Sequence, residues 1–167
     1  MDILTLILRV VHIFAGVFWV GAAWIGAIYL EPTVRALGPE GGKFMGHLVG
    51  TRKYSIAIMI AAVLTLLAGF ALFFMLYGGA GMRTNAGMTF GIGGVIGLIA
   101  GAAGGMVGAA SARLTRLGAT IAQQGKPPSP EQQTELRGLQ GRLRTFGLAT
   151  AILTSIALFA MAIARHL

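Results

Sequence analysis

The chain has 167 residues, of which 56% are hydrophobic and 11% charged, against roughly 25% charged in soluble globular domains. It carries a net charge of +8 from 13 Lys and Arg against 5 Asp and Glu, and no cysteine. That excludes disulfides, thiolate metal sites and thiol redox chemistry. The basic residues fall between apolar runs, so they read as topology determinants facing an anionic leaflet and not as a nucleic-acid surface.

The first element is an apolar run over about residues 4–30, interrupted near its start by Arg9. It is too long for the h-region of a signal peptide, about 7 to 15 residues, and is expected to be retained as a helix. Further apolar runs cover about 54–77, 87–112 and 145–165. Each approaches or exceeds the roughly 20 residues a helix needs to cross a bilayer. Backbone polar groups inside lipid must be satisfied within the segment, which dictates helix. The expected fold is therefore an all-α integral membrane protein, one domain built as a four-transmembrane-helix bundle.

The connections differ in charge. Residues 31–53 carry Arg35, Lys43, Arg52 and Lys53, and residues 113–144 carry Arg113, Arg116, Lys126, Arg137, Arg142 and Arg144. Only Arg9, Arg83 and Arg165 belong to the other side. The positive-inside rule then puts both basic connections in the cytoplasm and both termini outside, in a multi-pass protein of a bacterial cytoplasmic membrane.

Within 31–53, Phe44, Met45, Leu48 and Val49 share a helical stripe, as in a short helix lying on the membrane face or against the other basic connection. Within 113–144, Leu114, Leu117 and Ile121, then Leu136, Leu139 and Leu143, repeat at helical spacing on either side of a turn at 125–130. Helices three and four are thus expected to extend into a cytoplasmic helical hairpin. Ser129, Pro130 and Gln132 have the spacing of a capping box with proline at the first helical position.

Helix three carries Gly93, Gly97, Gly101 and Gly105 at every fourth position. So bare a strip admits another helix or a flat ligand close to the backbone, and a homodimer or a larger membrane complex is one use for it.

His12 is the residue with most chemical content, because an ionisable group in an apolar span is costly. Arg9, Gly16, Trp19, Ala23 and Gly26 follow its face at steps of three or four. A haem b suits that face: imidazole as axial ligand, Gly16 leaving room for the ring, Trp19 supporting its edge, and Arg9 pairing with a propionate. A histidine hydrogen-bonded across helices fits the same pattern. Matching depths on the other helices give Gly69, Gly97 and Thr154, with no second strong ligand, so one chain would offer an iron a single protein ligand. Copper handling by Met75, Met82, Met88 and His166 at the outer face is the alternative metal chemistry. His47 is expected some 20 Å or more from His12. No nucleotide-binding, zinc or catalytic-triad motif stands in a credible context.

The stretch Leu8 to Glu31, LRVVHIFAGVFWVGAAWIGAIYLE, with His12, Gly16, Trp19 and Gly21, resembles helix one of small four-helix membrane proteins of the CopD-like grouping. More distantly it is similar to HemJ-type protoporphyrinogen oxidases. The resemblance implies metal or haem involvement through His12, and extends over about the first third of the chain. The intramembrane lysine expected of the HemJ type has no counterpart between Tyr54 and Ala112.

Overall fold

The computed structural model describes residues 2–167, and no strand occurs among them. The elements are α1 (Ile3–Trp24), a π-helical turn (Ile25–Leu30), α2 (Glu31–Ala36), α3 (Pro39–Gly50), α4 (Tyr54–Tyr77), a 3₁₀ turn (Gly79–Arg83), α5 (Asn85–Gln124) and α6 (Pro130–Ala164). Four helical stretches, Ile3–Ala36, α4, α5 and α6, are long and apolar enough to cross a membrane.

Local chemistry explains where they start and stop. Asp2 caps α1, its carboxylate accepting from the Leu4 amide at 2.6 Å and the Thr5 amide at 3.1 Å. Thr84 caps α5 by accepting from the Gly87 amide at 3.0 Å. Ser129 and Gln132 form the reciprocal capping box at the start of α6, satisfying two amides that otherwise lack intrahelical partners. Gly125, at φ +58°, closes α5 in the left-handed conformation that glycine adopts without steric cost.

The first helix runs further than the expected end at residue 30. It continues through Pro32 to Ala36, with the π-helical turn immediately ahead of the proline. Proline has no N–H to give and its ring crowds the preceding turn. Widening that turn, so that the Glu31 amide reaches the Gly26 carbonyl, lets the helix pass the proline without breaking. The chain then reverses at Gly38, φ +56°. Gly41 lies directly against the Val34 carbonyl, where any side chain would collide.

The four long helices form an up-and-down bundle in which α1 packs on α4, α4 on α5, α5 along α6, and α6 back on α1. Its centre is Trp19, Ala61 and Ala100, with Ala15, Ile58, Ala62, Leu66 and Leu153 around them. Large apolar side chains point outward instead: Phe14 is 74% exposed and Val17 67%. Small residues inside and large ones outside suit helices surrounded by lipid, where close backbone approach drives association.

α5 has 40 residues and so is about 60 Å long, twice the hydrocarbon thickness. Beyond their apolar stretches α5 and α6 continue side by side to the turn at 125–129. Leu139 is buried there, and Leu114, Leu117, Ile121, Leu136 and Leu143 are half-buried along the seam. In α3, Phe44 remains half exposed while Met45, Leu48 and Val49 are partly covered.

Candidate functional site

His12 faces α4. Its Nδ1 lies 2.8 Å from the Thr65 carbonyl oxygen. A carbonyl only accepts, so Nδ1 carries the proton and donates it, and in the neutral ring Nε2 keeps the lone pair. The ring lies directly over Gly69: a methyl group there would meet His12 Cε1 at 2.7 Å and Nδ1 at 2.9 Å. One turn along α1, the space above Gly16 is taken by the Thr65 methyl at 3.5 Å. Thr65 is buried and turns its hydroxyl back to the Ala61 carbonyl at 2.7 Å. The α1–α4 seam is therefore closed by two glycines, one imidazole and one threonine.

The α5 glycines meet the same bundle interior. Gly97 faces Leu66 at 3.7 Å, and Gly101 faces Leu66 at 3.1 Å and Trp19 at 3.9 Å. Gly93 rests on α6, against Met161 at 3.2 Å and Ala160 at 3.5 Å. Three of the four strip positions thus take neighbours from within the chain. Gly105, with Gly94 and Gly108, has nothing within 4 Å of the position a side chain would start from.

The remaining sequence-derived positions are distributed as follows. Trp19, on α1, is buried with Ala61 of α4 and Ala100 of α5, its indole near Gly101 and Gly104. Thr154 is buried, and its hydroxyl donates to the Thr150 and Ala151 carbonyls at 2.8 and 3.1 Å. Arg9 is exposed, one turn before His12. His47 on α3 and His166 beyond α6 are both exposed. Met75, Met82 and Met88 lie exposed near the α4–α5 connection. Among the described residues, no three or more His, Asp or Glu side chains come together as a metal site.

Two partners were not legible in the sequence. One is the Thr65 carbonyl, because backbone acceptors are invisible to residue-type reasoning. The other is Ser155, whose hydroxyl accepts from Trp24 Nε1 at 2.7 Å and ties α1 to α6. Ser155 in turn donates to the Ala151 carbonyl at 2.9 Å.

Comparison with known proteins finds no matching family model, no matching curated sequence and no matching solved structure.

Proposed function

We propose that this chain is a multi-pass protein of a bacterial cytoplasmic membrane that binds a b-type haem through Nε2 of His12. The observation that supports the reading is the 2.8 Å hydrogen bond from Nδ1 to the Thr65 carbonyl. Metal-ligating histidines are characteristically oriented by such a second hydrogen bond, which selects the tautomer and raises the basicity of the ligating nitrogen. The donor chemistry therefore fits an axial ligand. His12 would hold the iron and Arg9 a propionate; when bound, the haem would supply one-electron exchange or an open coordination position for a small molecule.

The chain's own residues set limits on that site. Thr65 fixes the imidazole, Gly69 lets it approach α4, and the Thr65 methyl fills the Gly16 notch. Leu66 and Trp19 fill the space over Gly97 and Gly101. These notches are thus filled by the chain's own side chains and would not themselves hold a porphyrin. After expression with added haem, the purified protein should show a Soret band that His12→Ala removes and His47→Ala retains. Wild-type protein without iron or a Soret band would overturn the reading.

The open glycine face of α5 favours a second reading, an assembly subunit of a larger membrane complex. Gly105 and Gly108 have room for a partner helix, and small residues are what such contacts use. This reading expects stable copurification of other membrane subunits, lost on Gly105→Ile and kept on His12→Ala. A chain that purifies alone from gently solubilised membranes would count against it.

A further inference from the structure

The charged residues are sorted by level along the bundle in a way that neither reading of His12 requires. Contacts of Gly93 with Ala157 and Ala160, of Gly104 with Thr150, and the 3.2 Å bond from Gln132 to Gln124 fix the antiparallel register of α5 and α6. Counting along that register at about 1.5 Å per residue, Arg137, Arg142 and Arg144 fall level with about residues 117, 112 and 110 of α5. Arg113 and Arg116 stand on α5 itself at those levels. Five exposed guanidinium groups thus occupy a band about 10 Å deep.

Leu66 against Gly97 and Gly101, and Phe73 against Gly91, set the register of α4 on α5. It carries Arg52 and Lys53, both exposed at the start of α4, to the same band. No acidic residue occurs between Glu40 and Glu131 or after Glu135. Among the described residues, the ion pairs at this end, Arg35 with Glu31 and Lys43 with Glu40, involve none of the seven. Glu131 and Glu135 lie nearer the hairpin tip. The band also coincides with the ends of the apolar runs, which begin at Tyr54, finish at Ala112 and begin again at Thr145.

We propose that this band is a binding surface for anionic phospholipid headgroups, which hold the bundle at its depth in the membrane. Charge complementarity and position point to that partner. A guanidinium takes a phosphodiester through two parallel hydrogen bonds, and these groups stand where headgroups meet the apolar core. The inference rests on the helices spanning a membrane and is independent of haem.

The test uses the full chain in neutral detergent, offered phosphatidylglycerol and phosphatidylcholine of matched acyl chains in equal amounts. Bound lipid is quantified by mass spectrometry after gel filtration. The wild type should retain phosphatidylglycerol over phosphatidylcholine by about tenfold. That preference should fall toward parity at about 0.5 M salt, where surface charges are screened. It should also fall in R137Q/R142Q/R144Q and persist in R83Q/R165Q, which changes arginines at the other end. Equal retention by the wild type, or a preference that survives the added salt, overturns the proposal even where the triple variant fails to fold. Loss of phosphatidylglycerol on adding inorganic phosphate at unchanged ionic strength also overturns it, and assigns the band to free phosphate.

Discussion

At the scale of single residues, His12 and Gly69 form one unit. The imidazole is held on one side by the Thr65 carbonyl and occupies the space a side chain at residue 69 would need, with approaches of 2.7 and 2.9 Å. A ring fixed by a hydrogen bond cannot swing aside freely, so Gly69→Ala forces α1 and α4 apart or breaks the bond. Its cost is expected at about 1–3 kcal/mol, the usual range for overfilling a packed site. His12→Ala alone should cost less, near the roughly 0.6 kcal/mol typical of hydrogen bonds between helices in membranes. In the double variant the methyl group finds the vacated space, so the two effects should be strongly non-additive. Unfolding of the four variants in mixed detergent measures this. Simple additivity would show that the ring and Gly69 do not share the site. The sequence made His12 conspicuous, but it could not show that the Gly16 and Gly69 gaps are filled by Thr65 and by the histidine itself.

At the scale of elements, ends and interruptions are governed by short-range chemistry and were mostly legible. The capping box of Ser129 and Gln132 could be read from spacing alone, since both partners lie within one turn. Its neighbour Glu131 receives a hydrogen bond from the Ser129 hydroxyl, which holds its carboxyl below the ordinary range. Asp2 is the clearest pH-dependent feature. Backbone hydrogen bonds from Thr5 and Leu4 hold its carboxyl below the usual aspartate value. Its folded pKa is depressed, so the cap is fully formed above the ordinary carboxylate range of about 4 and is lost as pH falls through the lowered value. Hydrogen exchange at the Leu4 and Thr5 amides, corrected for intrinsic rates, should therefore accelerate as pH drops from about 6 to about 3. Asp2→Ala should exchange quickly throughout, and unchanged protection in that variant would rule the cap out. Helix one is expected to end at residue 30, where its apolar run meets Glu31, yet it continues through Pro32 to Ala36. The π-helical turn at Ile25–Leu30 makes this proline an internal residue, a compensation that lies in the backbone of the preceding turn.

At the scale of the molecule, four long apolar helices close into a ring with small residues inside and large apolar ones outside. The absence of cysteine makes the proposed orientation directly testable with single introduced cysteines. In intact cells, Gly81→Cys in the short connection should react with a membrane-impermeant maleimide, and Lys126→Cys at the hairpin tip should react only after the membrane is opened. The reverse pattern would invert the topology. Helix number and the segregation of positive charge were both determined by the sequence, because each depends on residues close together along the chain. Which faces meet was decided only in three dimensions. The glycines at 93, 97 and 101 look like an empty strip in the sequence, yet they receive Met161, Leu66 and Trp19, while Gly105 is left open. The four expected helices thus stand, and what changed is the use of their small residues. In a bundle without a large apolar core, gaps are filled by whichever side chain crosses at that level, and crossings between distant segments are not encoded in local spacing.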